Sequence, residues 1–247
     1  MKLKHAALIS TGLVITAGLV MIMPLFFQPY KSSPPQQVML CFDISEGAEI
    51  QQWGTDIASV INQYDVPATV FVSGVVAEHY PQFLSSFNGR VDIGSRTYDY
   101  LDLTSIEDYS VKLQQVREGK EAVDDAGNLS SKIFRAPFGA TDQDIYSLLS
   151  RSGILADFSY RDQYNVFENG QFIKYDASTY QARGYTADFF LSLPKAAKPL
   201  IIYFDAGDPV SEIEGLVLRL KQSDVKLVNA SELTGIALTT RSSEIVN

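Results

Sequence analysis

The run VMLCFDIS at residues 38–45 decides how the rest of the chain is read. Its first five residues are apolar without a break, which fits a strand covered on both faces, as in a parallel sheet. It then ends in Asp43. PLIIYFD at 199–205 repeats the pattern, a strongly apolar strand closing on Asp205. A carboxylate at the end of a buried strand has to be solvated, paired or hydrogen-bonded.

Outward from the first strand, Ile50, Trp53, Ile57, Ile61 and Tyr64 recur at spacings of three and four, which predicts a helix. ATVFV (68–72) predicts a second strand after Pro67, and Val91 to Thr97 a third. Thr104 and Glu107 have the spacing of a capping box. Behind them Tyr109, Leu113, Val116, Lys120 and Val123 give a long helix one largely apolar face. KIFRAPFG (132–139) is a strand running into a loop. Asp142 to Ser150 is a helix ended by Gly153, and Ile154 to Phe158 is another strand. Ile213 to Leu220 is helical, VKLVN (225–229) is the last strand, and Glu232 opens a short helix or tail. Strands separated by helices predict a largely parallel α/β domain. Seven strands fit a distorted or incomplete (β/α) barrel better than a small open sheet. Only Arg161 to Arg183 breaks the rhythm. There Asn169-Gly170, between NVFE and QFIKY, predicts a hairpin turn, an excursion expected to cover one mouth of the barrel.

Ahead of this domain (37–236) lie a short N-terminus (1–5), an uncharged run from Ala6 to Phe27, and a linker (28–36) stiffened by Pro34 and Pro35. As a helix the run would be about 33 Å long, close to the roughly 30 Å of bilayer hydrocarbon. Lys2 and Lys4 precede it, which puts the amino end in the cytoplasm and the domain outside it. The bulky MPLFFQPYK that follows favours an uncleaved anchor over a cleaved secretory signal. The expected location is therefore the cell membrane, single-pass, with the lipid bilayer contacted through 6–27. Residues 237–247 read as a polar tail.

The net charge is -9, and the first 35 residues contribute three lysines and no acid, leaving -12 on the remainder. Such a surface repels phosphate backbones, so nucleic acid is not an expected partner. The one cysteine, Cys41, sits inside the first strand and reads as a small core hydrophobe. Bulky Leu40 before it argues against an acylation site. Asn128-Leu-Ser and Asn229-Ala-Ser are glycosylation triplets of a kind that chance often produces.

In parallel α/β domains functional groups gather at strand ends. Here these ends supply Asp43, Arg96, Tyr98, Asp99, Tyr100, Arg135, Asp157, Asp162 and Asp205. Two readings stay open at this point: an Asp–Arg network that closes the barrel mouth, or a functional cleft. Neither histidine lies at a strand end, since His5 precedes the apolar run and His79 falls in a helical segment. A histidine-built zinc or nickel site is thereby disfavoured. An all-carboxylate site through Asp43, Asp99 and Asp205 is the less favoured remainder.

The order of these segments resembles the polysaccharide deacetylase family, also called the NodB-homology or carbohydrate esterase family 4 domain. VMLCFDIS (38–45), VPATVFVSG (66–74), VDIGSRTYDYLDLTSIE (91–107), FRAPFG (134–139), LIIYFDAG (200–207) and VKLVNASEL (225–233) are similar to its successive motifs. The resemblance implies a metal-dependent hydrolase that deacetylates N-acetylated sugars, with a metal held by one Asp and two His. The carry-over of its residues is incomplete. Asp43 stands at the catalytic base, Arg135 at the Arg that braces it, and Asp205 is retained. Ile44 stands at the metal-binding Asp, Arg96 and Tyr100 at the two metal-binding histidines, and Phe204 at the catalytic His. Asp162 stands loosely at another motif aspartate. The expectation is a non-catalytic domain without a metal or other cofactor, in which Arg96 pairs with Asp43. Its cleft would comprise Arg96, Tyr98, Asp99, Tyr100, Phe138, Tyr160, Asp162, Tyr164 and Phe204, and its partner would be a glycan or an envelope protein. An active hydrolase with a rearranged site and a structural subunit of an envelope complex are the alternatives.

Overall fold

The computed structural model describes residues 36–241 apart from 46, 48, 143, 195 and 196. The expected span at 6–27 lies outside the described residues, as do His5 and the linker up to residue 35. Among the described residues no helix is long and apolar enough to cross a membrane.

In chain order the strands are β1 (Gln36–Ile44), β2 (Ala68–Val72), β3 (Val91–Ser95), β4 (Leu129–Ser131), β5 (Ile133–Phe134), β6 (Ala156–Asp157), β7 (Gln163–Glu168), β8 (Gln171–Asp176), β9 (Ser178–Gln181), β10 (Leu200–Asp205), β11 (Val225–Val228) and β12 (Thr239–Arg241). The helices are α1 (Ile50–Tyr64), α2 (Gly74–His79), α3 (Pro81–Leu84), α4 (Tyr109–Gly127), α5 (Ile145–Arg151), α6 (Ala187–Ser192), α7 (Val210–Lys221) and α8 (Ala230–Thr234). All seven expected strands are present. They belong to one sheet ordered β8-β7-β6-β5-β3-β2-β1-β10-β9, with β11 beside the first half of β1. From β6 to β9 every pairing is parallel. The architecture is thus α/β with a nearly closed, barrel-like sheet.

The pleat sorts side chains between two layers, because successive residues point to opposite faces. Met39, Cys41, Phe71, Ile133, Phe158, Ile201 and Tyr203 pack together on the inner face. Leu40, Phe42, Ile44, Val70, Val72, Ile93, Ile202 and Phe204 pack outward against Ile57, Ile61, Ile213 and Val217 of α1 and α7. Cys41 is fully buried, and burial raises its thiol pKa, so it behaves as the core hydrophobe its sequence context indicates.

Three local expectations need correction. The excursion at 161–183 is wall rather than cover. Hairpin β7–β8 turns at Asn169-Gly170, both at positive φ, and extends the sheet antiparallel from β6. The chain then joins β10 as β9, and Asp162 ties the two edges. Its carbonyl accepts from Ala177 N at 3.0 Å, its N–H donates to Thr179 Oγ1 at 3.0 Å, and its Oδ1 accepts from Thr179 N at 3.1 Å. The capping box at Thr104 and Glu107 does not form either. Asp102 Oδ1 takes the Thr104 N–H and hydroxyl at 2.8 and 2.6 Å, holding a separate turn. α4 begins later, with Asp108 Oδ1 accepting from Ser110 N at 2.8 Å. An ionised carboxylate two residues before a free N–H caps it more directly than Thr104 does. Finally, within the polar C-terminal stretch, Leu238 is fully buried and β12 pairs antiparallel with β4.

Candidate functional site

Asp43, Arg96, Arg135, Tyr203 and Asp205 come from the carboxyl ends of β1, β3, β5 and β10 and meet at one mouth of the sheet. The parallel register sets Asp43 beside Asp205. Asp43 is 3% exposed and Arg96 2%. Asp43 Oδ2 accepts from Arg135 Nε at 2.9 Å and lies 3.5 Å from Arg96 Nη1. The first contact is a charge-assisted hydrogen bond. The second is an ion pair without hydrogen-bond geometry, because Nη1 and Nε of Arg96 and Oδ1 of Asp43 are buried without a hydrogen-bond partner among the described residues. Arg96 Nη2 reaches Ala136 O at 3.4 Å.

Two aromatic rings cover the cations. Arg135 lies 3.7 Å from the Tyr203 ring centroid and Arg96 4.6 Å from that of Tyr100. Burial opposes the Arg135 charge, but Asp43, Tyr203 and Cys41 together more than offset this, so the Arg135 pKa is raised. Burial, with the nearby Asp43 and Asp208 charges, raises the Asp205 pKa. Among the described residues no arginine ion pair meets Asp205; Gln181 Nε2 donates to its Oδ2 at 2.8 Å. Deeper in the barrel, Asp157 is fully buried. Burial lifts its pKa to about 6 against the hydrogen bonds from Ser159 and the Arg135 charge.

The loop carrying Arg96 is held from outside the barrel. Tyr98 N donates to Gln115 O and Asp99 N to Gln115 Oε1, at 2.9 and 3.0 Å. α4 comes this close because Gly119 lacks a Cβ, which would collide with the Arg96 carbonyl oxygen. At the rim, Tyr100 and Phe138 adopt φ 58 and 59, left-handed conformations that bulky residues rarely occupy. Their rings lie 5.0 Å apart, and Phe138 is 69% exposed.

Of the residues expected in the cleft, Arg96, Tyr100 and Phe138 cluster with Asp43 and Arg135. Tyr98 instead turns to the helix layer and donates to Glu78. Asp99 is held by Gln115 Nε2 at 2.8 Å. Tyr160 stacks toward Tyr146, and Asp162 is committed to the β9 junction. Tyr164 is buried between Phe158 and Tyr175. Phe204 stacks on Phe42 at 4.9 Å in the outer layer, and Ile44 is buried there too. Pleat parity explains both: with Tyr203 and Asp205 facing in, position 204 faces out. Tyr203 itself is absent from the sequence-derived set. Its signal is present, because it stands two residues before Asp205 and hence on the same face.

These residues do not fit the metal that the family resemblance implies. Ile44 offers no donor and points away, Arg96 is a permanent cation, and Asp43 Oδ2 is already shared by two guanidiniums. Among the described residues no group of three His, Cys, Asp or Glu side chains is placed to hold an ion. His79, the described histidine, is exposed on α2.

A family model described as polysaccharide deacetylase matches residues 30–156, just over half of the chain. Solved structures share the fold at low identity. Peptidoglycan deacetylase PdaC from Bacillus subtilis is 16% identical, with 81% of this chain and 91% of that chain covered and a TM-score of 0.61. A family 4 carbohydrate esterase from Streptomyces lividans, in complex with acetate, is 15% identical over 80% of this chain and 93% of its own, with a TM-score of 0.59. BA3943 from Bacillus anthracis, described as a pseudoenzyme of carbohydrate esterase family 4, is 14% identical over 81% and 66%, with a TM-score of 0.59. The family match and the shared fold together make this chain a member of the polysaccharide deacetylase family.

Proposed function

We propose that this chain is a non-catalytic family member that binds a glycan at the strand-end mouth. The carrying observation is the buried Arg96 guanidinium, 3.5 Å from Asp43 Oδ2, at a position where the family pattern has a metal-binding histidine. A fixed cation there neutralises Asp43 but supplies no exchangeable site for an activated water. Phe204, packed on Phe42, supplies no proton to a departing amine. The rim favours a sugar over other small ligands, since Tyr100 and the exposed Phe138 offer aromatic surface beside buried charge. Residues 6–27 would hold the domain at the outer face of a membrane, a location that protease treatment of intact cells tests.

The test of function is a pair of measurements on the purified protein. Acetate release from N-acetylglucosamine oligomers is assayed with and without added zinc, cobalt or nickel, and binding of the same oligomers is followed by calorimetry. Binding without acetate release is the expected result. Metal-dependent acetate release abolished by a chelator would overturn the non-catalytic reading.

A further inference from the structure

The amino-terminal half of α4 buries polar residues where apolar ones are at hand. Tyr109 and Leu113 are half-buried, while Lys112 and Gln115 are buried, at 5% and 7% exposure. A lysine is almost never buried unless it is paired, because its charge loses water. Lys112 and Gln115 stand three positions apart and so share one face of the helix.

Each hooks a different loop of the mouth rim. Gln115 O accepts from Tyr98 N at 2.9 Å, and the Gln115 side chain accepts from Asp99 N at 3.0 Å and donates to Asp99 Oδ2 at 2.8 Å. The next residue, Tyr100, carries one ring of the rim pair. The Lys112 ammonium donates to Asp142 Oδ2 and lies 3.5 Å from Asp144 Oδ2. These carboxylates stand four and six residues beyond Phe138, which carries the other ring. The chain leaves Phe138 through a turn in which Gly139 N donates to Ala136 O at 3.2 Å and Ala140 N to Pro137 O at 3.0 Å. Two rings 5.0 Å apart thus come from two loops, and both loops are held by one helix. Each ring sits on a left-handed residue, a backbone state that persists only where the surroundings fix it. Phe138 is too exposed for its own ring to do so.

We infer that Lys112 is a positioning residue of the mouth. From outside the sheet its ammonium holds the loop of Phe138 against the loop of Tyr100, so the aromatic rim is set before a ligand arrives. This rests on the glycan reading of the mouth. A rim already in its bound shape loses no freedom on binding, which raises affinity. Without the ammonium, Asp142 and Asp144 remain in contact with water, since their side chains are 30% and 50% exposed. The loop is then released while the sheet is not.

The test is a double-mutant cycle on the purified protein, with an N-acetylglucosamine hexamer as the probe and calorimetry as the readout. Lys112→Met keeps the aliphatic stem and removes the charge. It should weaken hexamer binding about tenfold, the scale of ordering one or two side chains. In a Phe138→Gly background the same change should weaken binding by less than about twofold, because the ring it positions is gone. A lysine that acts only on stability would cost the same in both backgrounds. Should Lys112→Met not fold, Asp142→Asn carries the same cycle from the other end of the contact, and it retains the Oδ1 acceptor for Asp144 N. Unchanged affinity in the single variant, or equal losses in both backgrounds, would overturn the positioning role and leave the mouth reading standing. Failure of the wild type to bind the hexamer would overturn the mouth reading, and this inference with it.

Discussion

Arg96 and Asp43 form an ion pair in which each residue is at least 97% excluded from water. Removing one partner of such a pair strands the other charge in a medium that solvates it poorly. Asp43 keeps Arg135 at 2.9 Å, so the loss is partial but large. Arg96→Met should destabilise the domain by about 3–5 kcal/mol in urea unfolding. Arg90 offers the control, since its pair with Asp65 is 45% and 70% exposed. Arg90→Met should cost less than about 1 kcal/mol. Similar losses in both variants would mean that the buried pair is not a stabilising centre.

The pH dependence of stability should carry the mark of Asp157. Burial raises its carboxyl pKa to about 6 in the folded chain, from an ordinary value of 3.8. The folded state therefore binds more protons than the unfolded state between those values, and stability falls as pH rises through them. The destabilisation is complete above about pH 6 and absent below about pH 4, and amounts to about 3 kcal/mol. Asp92, Asp124 and Asp205 are also raised, with burial the largest cause, and act in the same direction. Asp157→Asn should flatten the slope between pH 4 and 6 in thermal melts, with the gain over wild type appearing at pH 7. An unchanged slope would contradict the burial argument.

Phe138 separates binding from stability. Its ring is 69% exposed and its backbone sits at φ 59. Phe138→Gly relieves the left-handed strain while adding unfolded-chain entropy, so stability should stay within about 1 kcal/mol of wild type. Glycan affinity should fall about tenfold, the size expected for losing one aromatic contact. Retained affinity in calorimetry would remove Phe138 from the binding surface.

Two helical glycines should respond oppositely to the same change. Gly119→Ala in α4 drives a Cβ into the Arg96 carbonyl and to 2.9 Å from Tyr98 N, so it should destabilise by about 1–3 kcal/mol. Gly215→Ala in α7 meets open space and should stabilise by about 0.5–1 kcal/mol. Chemical denaturation of the two variants decides this, and stabilisation by Gly119→Ala would show that α4 can retreat from the site.

The sequence by itself determined what depends on neighbours in the chain. Unbroken apolar runs marked β1 and β10, the spacing from Ile50 to Tyr64 marked α1 to the residue, and Asn169-Gly170 marked the hairpin, because its two positive φ values suit those residues. The family motifs also identified Asp43 and Arg135 as partners, although 92 positions separate them. Tertiary structure decided which strand-end side chains share a space. A pleat fixes that Phe204 and Asp205 oppose one another, but only closure of the sheet fixes that Asp205 faces inward and Phe204 packs on Phe42. Tyr98 and Asp99 were drawn away by α4, whose approach depends on Gly119, and Asp162 by Thr179 across the seam. β12 left no apolar signature because its three residues are only half-buried, and what holds them is pairing with β4, a long-range contact that no local pattern encodes.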